Sequence, residues 1–201
     1  MGTTVLSMSM SLDGFVAGPD AGPGNGLGDG GERLHAWLLS GGDAGPTGVP
    51  ELVSTGVDGR VTAEFMATGA VVAGRGTFEP AGGWGGDHHD GVPIFVLSRR
   101  PPGIDVAGWP LVTYVDDVAV AVERARRAAG DRDVLVHGAT VAQLALAAGV
   151  LDQLEIHLVP VLLGRGRRLF GDVAPASVEL ERVRVLQGEA GVTHLRFRVR
   201  R

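Results

Sequence analysis

The chain contains 201 residues, of which 44% are hydrophobic and none is cysteine, and its formal net charge is −5. This length and hydrophobic content predict a single domain over residues 1–201 with a sizeable core. The composition excludes disulfides and thiolate metal sites, and it argues against nucleic acid or an acidic membrane surface as the partner.

The first half of the chain predicts short strands separated by glycine-rich loops. Residues 5–10 predict a strand, which the turn at residues 11–14 closes. Residues 18–31 are rich in glycine and proline, which predicts a mobile surface loop able to act as a lid. The other elements predicted here are helices at 32–39 and 62–68, a loop at 41–56, and buried strands of a parallel sheet at 71–74 and 93–98.

The second half of the chain alternates strands with helices. After a strand at residues 112–115, Asp116 or Asp117 is expected to cap a helix, and Gly130 is expected to end it. Apolar residues recur at helical spacing through this segment. The remaining elements are a strand at 134–136, a helix at 140–148, and a strand in which Leu154, Ile156 and Leu158 alternate with Glu155 and His157.

The C-terminal tail predicts an antiparallel hairpin made of residues 178–186 and 192–199. The apolar phase shifts in the first arm, which predicts a β-bulge near Glu181 and Arg182. In the second arm one face is apolar, and the other carries His194, Arg196, Arg198 and Arg200. These elements together predict a mainly parallel α/β sheet with an antiparallel edge.

Two of the predicted strands end on glycine just before a helical pattern. One is followed by Gly138, and the other runs into the sequence Gly-Arg-Gly-Thr at residues 74–77. Such a junction leaves backbone N–H groups unpaired at the start of a helix, where they favour phosphate. The two junctions predict a nucleotide with several phosphates lying across the ends of parallel strands.

Five segments, in this order, resemble the dihydrofolate-reductase-like superfamily, most closely the branch with the reductase domain of the bifunctional riboflavin-biosynthesis deaminase/reductase. They are residues 10–18 (MSLDGFVAG), 70–79 (AVVAGRGTFE), 93–99 (PIFVLSR), 134–143 (VLVHGATVAQ) and 159–170 (VPVLLGRGRRLF). The resemblance implies a dihydrofolate-reductase-like α/β fold, with a mainly parallel central sheet, flanking helices and an antiparallel C-terminal hairpin. It also implies an oxidoreductase that uses NADPH to transfer hydride to a C=N or C=O carbon of a small heterocyclic or ribosylamino-pyrimidine substrate.

The resemblance implies cofactor contacts at three places in the chain. They are Gly74, Arg75 and Thr77 at one glycine junction, Ser98 and Arg99 at a strand end, and Gly138, Ala139, Thr140 and Val141 at the other junction. Ser98 and Arg99 could recognise the 2′-phosphate that distinguishes NADPH from NADH. Taken singly, Arg75 could instead pair with a surface carboxylate, and Ser98 could simply end its strand.

Three carboxylates are candidates for catalysis, namely Asp58, Glu64 and Asp13. Asp58 and Glu64 precede the Gly-Arg-Gly-Thr strand, where dihydrofolate reductases hold a carboxylate that could bind the substrate or help deliver a proton. Each also has a structural alternative, with Asp58 capping a helix, Glu64 facing water and Asp13 serving its turn. Asp13, with Gly164 and Arg165 of a basic glycine loop that could receive a phosphate, frames the predicted substrate pocket.

At the expected substrate site the sequence differs both from the riboflavin-pathway reductases and from the dihydrofolate reductases. His137 stands where the riboflavin-pathway reductases carry Glu, and Gln143 stands about where dihydrofolate reductases carry Tyr. The alternatives are therefore a dihydrofolate reductase or another pteridine or flavin reductase on the same fold, or a catalytically weak nucleotide-binding protein.

The expected partner is a small-molecule substrate, and an exposed apolar edge in the tail hairpin would favour a homodimer. The N-terminal segment has neither a basic leader nor a cleavage signal, so a cytoplasmic location is expected.

The remaining polar and aromatic groups favour structural roles. His88, His89 and Asp90 are neighbours on one loop and are expected to be solvated rather than to bind a metal. His157 is expected to pack within the sheet. The tryptophans are expected to pack in the core, with stacking on a flat substrate ring as the alternative.

Overall fold

The computed structural model describes residues 2–39, 52–53, 55–171 and 177–200. Its strands are β1 (Thr4–Ser11), β2 (Phe15–Ala17), β3 (Ala70–Gly74), β4 (Ile94–Leu97), β5 (Val112–Val115), β6 (Val134–His137), β7 (Gln153–Val159), β8 (Arg167–Arg168), β9 (Leu180–Gln187) and β10 (Thr193–Val199). Its helices are α1 (Gly56–Met66), α2 (Arg75–Phe78), α3 (Val118–Ala129) and α4 (Ala139–Ala147), with 3-10 helices at Gly31–Leu38 and Gly82–Gly86. Within these ranges no helix has the length and apolar character needed to cross a membrane.

Eight of the strands form one sheet in the order β5-β4-β3-β6-β1-β7-β10-β9. The strands from β5 to β7 in this order are parallel, whereas β10 runs antiparallel to β7 and β9 runs antiparallel to β10. The structure confirms the predicted α/β architecture with its antiparallel C-terminal hairpin. Strands β2 and β8 pair as a separate short ribbon, which the sequence patterns did not predict because β8 is only two residues long.

Strands β3, β4 and β6 are buried on both faces of the sheet because they are apolar on both sides. In β3, Val72 belongs to the core cluster formed with α3 and α4, whereas Val71 and Ala73 pack with Phe78 on the opposite face. Such continuous apolar runs are the reason that the buried strands could be predicted.

The central strand β1 is different, because only one of its faces is apolar. Leu6 and Met8 join the core with α3 and α4, whereas the alternating residues Ser7 and Ser9 point to the other face and are also buried. Trp37 of the first 3-10 helix donates from Nε1 to Ser9 Oγ over 2.9 Å. The buried hydroxyl groups therefore mark a polar region on this side of the sheet.

Local sequence signals determine the ends of α3, as predicted. Asp117 Oδ1 accepts a hydrogen bond from Val120 N over 2.9 Å, and Gly130 ends the helix with a φ of 65°. The side-chain cap satisfies a first-turn donor, and glycine tolerates the positive φ without steric cost.

The C-terminal hairpin contains the predicted bulge. Arg196 pairs with Arg184 and the next residue, Phe197, pairs with Arg182, so Val183 is the extra residue. The bulge thus lies one residue beyond the predicted position. Along β9 the described side chains of Leu180, Val183 and Val185 are exposed. The exposed apolar edge that the sequence analysis looked for is therefore present, and the homodimer stays a prediction.

The predicted alternation of β10 is confirmed, because Leu195 and Phe197 pack against the core on one face and His194 lies on the other. The sequence pattern does not reveal that His194 is fully buried. The reason is tertiary: the N-terminal end of α1 covers this part of the strand, and Asp58 lies within hydrogen-bonding distance of the imidazole.

The loop at residues 18–31 has its own backbone hydrogen bonds. Gly18 N donates to Leu27 O over 2.8 Å, and Asp29 N donates to Pro19 O over 2.9 Å. Its mobility and its role as a lid stay predictions. The loop predicted at residues 41–56 lies mostly outside the described residues.

Candidate functional site

A small cavity of about 200 Å³ opens at the carboxyl ends of β3 and β6, and we call it the Gly138 cavity. Its lining consists of Gly74, Arg75, Gly76, Thr77, Leu97, Gly138, Ala139, Thr140, Val141 and Arg167. Because the carboxyl ends of neighbouring parallel strands meet at one edge of a sheet, the two glycine junctions come together there. Every predicted cofactor residue except Ser98 and Arg99 lies in this lining.

Gly138 is the point at which the two junctions touch. Its φ of 104° belongs to the region that favours glycine, and a Cβ there would lie far inside van der Waals contact with Thr77 Oγ1. The helix α4 begins at the next residue, and no side chain caps it. Its first-turn N–H groups are therefore available to an anion, so the donor set fits the pyrophosphate of a dinucleotide.

Two guanidinium groups border the same cavity. Arg167 donates from Nη1 to Gly76 O over 3.4 Å, and Arg75 Nε lies 3.8 Å from Glu79 Oε2. Arg75 therefore lies beside a carboxylate, as the alternative interpretation of the sequence expected, and it is also part of the cavity lining. Both positive charges favour an anionic ligand.

Ser98 and Arg99 follow β4 immediately beyond Leu97. The Ser98 hydroxyl donates to Arg100 O over 2.8 Å and accepts from Arg100 N over 3.0 Å, so it is engaged in a turn. Arg99 is exposed. Their contact with a 2′-phosphate stays a prediction.

A second cavity, the large cavity, has a volume of about 560 Å³ and adjoins the Gly138 cavity. Residues that line both are Gly76, Thr77, Gly138, Ala139 and Arg167. Apolar side chains form much of the remaining wall, among them Leu27, Trp37, Leu38, Phe65, Met66 and Trp84. The arrangement would hold a flat apolar ring against a ligand in the Gly138 cavity.

The polar groups of the large cavity are mostly hydroxyls and imidazoles. In its described lining they are Ser7, Ser9, His35, His88, His137 and His157, together with Thr77 and Arg167, which it shares with the Gly138 cavity. That lining contains no aspartate or glutamate. Across the described ranges of the chain, no group of three or more His, Asp or Glu could hold a metal ion.

The histidines of the large cavity are held in their neutral forms. Burial lowers the pKa of His88 to about 3 and the pKa of His137 to about 4, because the cavity wall solvates a positive charge poorly. The Nδ1 atoms of His35 and His137 are buried without a hydrogen-bond partner in the structure. The imidazoles of the cavity wall therefore face a ligand without a positive charge.

The prediction of a solvated loop at His88 and His89 is wrong. His89 is only 5% exposed, and its Nε2 lies 3.2 Å from Thr68 Oγ1. The His88 ring packs edge-on against Trp84, with 4.5 Å between the ring centroids. The positive φ angles of the preceding glycine-rich 3-10 helix turn the loop back onto the molecule, which a local pattern of polar residues does not reveal.

Asp58 and Glu64 are both on α1, but neither belongs to the lining of the large cavity. Asp58 is buried, its Oδ1 lies 2.8 Å from His194 Nε2, and its Oδ2 accepts from Ala190 N over 3.3 Å. Glu64 is half-exposed and accepts from Arg184 Nη1 over 2.7 Å, which lowers the pKa of its carboxyl group. Their catalytic roles stay predictions.

Asp13 ties the loop after β7 to the turn after β1. It accepts from Gly164 N over 2.7 Å and from the Ser11 hydroxyl over 2.6 Å, and the Ser11 hydrogen bond lowers the pKa of Asp13. Arg165 is exposed. Asp13, Gly164 and Arg165 lie outside the described lining of both cavities, where the basic side chain from this loop is instead Arg167. Substrate contact by the three residues stays a prediction.

Sequence reasoning missed the cluster that combines β1 serines with His157 and His194. The register places His157 beside Ser9 on one neighbouring strand and opposite His194 on the other. One local signal was present: the run Ser-Met-Ser-Met-Ser in β1 places a polar side chain at every second position of a buried strand. That pattern is typical of a strand with one face on a polar site.

Three solved structures illustrate the likeness of the fold. A protein from Shewanella sp. PV-4 assigned to riboflavin biosynthesis superposes with a TM-score of 0.71 at 22% identity, covering 99% of each chain. RibD from Acinetobacter baumannii gives a TM-score of 0.62 at 17% identity, covering 100% of this chain and 59% of that chain. Dihydrofolate reductase from Enterococcus faecalis, in complex with NADP(H) and RAB-propyl, gives 0.57 at 17% identity, with 100% and 98% covered.

At sequence identities this low, the superpositions establish the dihydrofolate-reductase-like fold but no function or substrate. No curated protein matches the sequence. The family model described as RibD C-terminal domain, by contrast, matches residues 3–194, nearly the whole chain. The chain therefore belongs to the RibD C-terminal domain family, a family of reductase domains.

Proposed function

We propose that the protein is an NADPH-dependent reductase that transfers hydride to a C=N or C=O carbon of a small, flat, uncharged heterocycle. The observation that carries the proposal is the meeting of the two cavities at Gly138 and Thr77. A dinucleotide with its phosphates in the Gly138 cavity would extend its nicotinamide toward the large cavity. Bound NADPH supplies the hydride, and the protein's part is to orient the partners and exclude water.

The cofactor part of the proposal is supported by three features. The uncapped start of α4 suits a pyrophosphate, Arg75 and Arg167 add positive charge, and Gly138 allows close approach of the backbone. The dihydrofolate reductase of the same fold is itself in complex with NADP(H). We assign the NADPH preference over NADH to the positive charge around this cavity.

The substrate part is supported by the lining of the large cavity. Neutral histidines and serines offer hydrogen bonds without charge, and the aromatic walls offer stacking surface. Arg167 is the one cationic side chain in the described lining, and it is shared with the Gly138 cavity. An uncharged heterocycle, or the base of a ribosylamino-pyrimidine, matches this chemistry better than a strongly anionic substrate does.

The cofactor is tested first by binding. NADPH and NADH are titrated against tryptophan fluorescence for the wild type, for Arg75→Ala and for the control Arg127→Ala, whose side chain is exposed on α3. We expect NADPH to bind more tightly than NADH, and Arg75→Ala alone to weaken NADPH by about tenfold, as loss of one charge-assisted contact predicts. Absence of binding by either nucleotide would refute the reductase function.

The substrate is tested by NADPH oxidation with a defined panel. The panel contains 5-amino-6-(5-phosphoribosylamino)uracil, its dephosphorylated form, dihydrofolate and 7,8-dihydrobiopterin. We expect the uncharged members to be reduced with the higher kcat/KM. Tight NADPH binding without oxidation by any member would instead favour the alternative of a catalytically weak nucleotide-binding protein.

A further inference from the structure

Four hydrogen-bonded side chains connect the start of α1 with the large cavity. Ser7 Oγ lies 3.0 Å from His157 Nε2, and His157 Nδ1 lies 2.9 Å from His194 Nδ1. His194 Nε2 in turn lies 2.8 Å from Asp58 Oδ1. All four residues are buried, and Ser7 and His157 also line the large cavity. Asp58 is thus connected to a cavity that it does not touch.

The geometry of this connection depends on three strands and one helix. His157 and His194 face each other across the antiparallel pair of β7 and β10, and Ser7 projects from the same face of β1 as Ser9. The Trp37 ring packs against both imidazoles, with centroid distances of 4.5 Å and 4.8 Å. The two imidazoles are therefore held in place by the Trp37 ring as well as by their hydrogen bonds.

With Asp58 ionised and both imidazoles neutral, one assignment of hydrogens satisfies every bond in the series. His194 donates from Nε2 to Asp58, His157 donates from Nδ1 to His194, and Ser7 donates its hydroxyl hydrogen to His157 Nε2. Burial lowers the pKa of His157 well below its ordinary value, which keeps this ring neutral. In this resting state the Ser7 hydrogen is committed to His157 Nε2 and cannot be donated to a ligand.

One added proton reverses the direction of the hydrogen bonds between His194 and His157 and between His157 and Ser7. If Asp58 and His194 share that proton, His194 donates from Nδ1 to His157, and neutral His157 must carry its hydrogen on Nε2. His157 then donates to Ser7 Oγ, so the Ser7 hydroxyl hydrogen turns toward the cavity. The protonated series presents a hydrogen-bond donor where the resting series presents an acceptor.

We propose that Ser7, His157, His194 and Asp58 form a proton relay that protonates the substrate in the large cavity. The relay rests on the proposed reductase function, because hydride addition to a C=N or C=O carbon leaves a nitrogen or oxygen that needs one proton. The Ser7 O–H bond breaks as the new N–H or O–H bond forms on the substrate. His157 returns a proton from Nε2 to Ser7, His194 passes one from Nδ1 to His157, and Asp58 ends as the carboxylate.

One proton taken up from the solvent at the Asp58 end, which lies beneath the exposed residue Ala190, replaces the proton delivered to the substrate, so the series returns to its protonated form after each turnover. Ser7 is the catalytic residue of this scheme, since it alone contacts the reacting atom. The other three residues act through it. This explains how a carboxylate buried outside the large cavity can still supply protons to it.

Charged and titratable neighbours favour placing the extra proton at the Asp58 end. Those that face His157 are His35, His137 and Arg196, and the one beside Asp58 is Glu189, which accepts from the N–H groups of Val57 and Asp58. The positive Arg196 disfavours a cation at His157, so the added proton is placed at the far end of the series from the cavity.

The relay is tested without substrate by following its histidines with nitrogen-15 NMR as the pH is lowered. We expect His157 to carry its hydrogen on Nδ1 at high pH and to switch to Nε2, while remaining neutral, in the same titration that protonates the Asp58–His194 pair. In Asp58→Asn that switch should move to lower pH or disappear. Independent titration of the two rings, or a His157 hydrogen that stays on Nδ1 throughout, would overturn the relay.

The use of the relay in reduction is tested with the panel member that the wild type reduces fastest. Ser7→Ala and Asp58→Asn should each lower kcat by about 100-fold, the lower end of the usual contribution of a general acid. NADPH affinity should change less than twofold. Because the donor must be protonated, wild-type kcat should fall as pH rises, and both variants should lose this dependence.

Two controls separate proton delivery from a structural role. Glu181→Gln removes an exposed carboxylate of β9 whose partners are Arg198 and Arg200, away from the relay, so kcat and its pH profile should match the wild type. Ser9→Ala removes the neighbouring buried hydroxyl on the same strand and should keep the pH dependence, whatever its effect on KM. If Ser7→Ala and Asp58→Asn also keep that dependence, the relay does not serve the reaction.

Failure of the relay and failure of the proposed function give different results. If no panel member is reduced, the reductase function fails, and the NMR titration alone decides whether the coupled proton pathway exists. If reduction proceeds with an unchanged pH profile in both variants, the function stands and the catalytic relay is refuted.

Discussion

Replacement of Gly138 by alanine perturbs the point at which the two cavities meet. A residue with a side chain at a φ of 104° is strained by about 1–3 kcal/mol, and the contact with Thr77 Oγ1 adds about 1–3 kcal/mol of overpacking. A loss of about 4 kcal/mol in the free energy of unfolding corresponds, for a chain of this size, to a fall in Tm of roughly 8–16 °C. We also expect NADPH to stop raising the Tm of this variant.

Two further variants separate strain from contact. Gly149 has a φ of 66° and open space where a Cβ would lie, so Gly149→Ala should cost only about 1–2 kcal/mol. Combining Gly138→Ala with Thr77→Ala removes the offending hydroxyl and should recover about 1–2 kcal/mol of the overpacking, but not the backbone strain. The variants are compared by thermal and urea unfolding. A Gly138→Ala protein as stable as Gly149→Ala would contradict the steric argument, and so would a double variant that recovers nothing.

Two other predictions concern stability. Arg184 holds the pKa of Glu64 below its ordinary value, so the pair stabilises the fold above the unfolded pKa of about 4.5 and this stabilisation is lost as pH falls through the lower folded pKa. Because Glu64 is half-exposed, we expect the pair to contribute only about 0.5–1 kcal/mol to the free energy of unfolding. The Tm advantage of the wild type over Glu64→Gln should therefore shrink from pH 7 to pH 3. The control Glu123→Gln should show the same change of Tm with pH as the wild type. Trp37→Phe leaves the buried Ser9 hydroxyl without its indole partner, so urea unfolding should show a loss of about 1–3 kcal/mol; an unchanged midpoint would mean that this hydrogen bond contributes nothing.

The elements that could be predicted are those with local causes. Continuous apolar runs indicate the buried strands, and the Asp117 cap and Gly130 mark the two ends of α3. The Val183 bulge follows from a phase shift within a single arm of the hairpin. Each of these signals lies within a few residues of the feature that it specifies, so no knowledge of the rest of the fold is needed.

The Gly138 cavity was predictable for a different reason. Its two glycine junctions are distant in the chain, but each follows a parallel strand, and the carboxyl ends of such strands share one edge of the sheet. Ser98 and Arg99 illustrate the limit of that reasoning. They also follow a parallel strand, yet the Ser98 hydroxyl is engaged with Arg100 in a turn.

The substrate side of the site was not predictable to the same extent. Asp58 and His194 are 136 positions apart, and their contact depends on how α1 crosses β10. His88 lines the large cavity because the glycine-rich 3-10 helix before it folds back, although its polar neighbours predicted exposure. Neither the Asp58–His194 contact nor the position of His88 produces a pattern of residues that could be recognised in the sequence.

By itself the sequence determined the α/β class, the family resemblance and the residues that surround the Gly138 cavity. Strand patterns, helix caps and glycine junctions each depend on residues that are close together in the chain. Tertiary structure alone decided that the described lining of the large cavity carries neutral histidines instead of carboxylates. It also decided that Asp58 reaches this cavity through His194, His157 and Ser7. Strand register and helix crossing set which distant side chains share a buried space, and burial in turn sets the protonation states on which their chemistry depends.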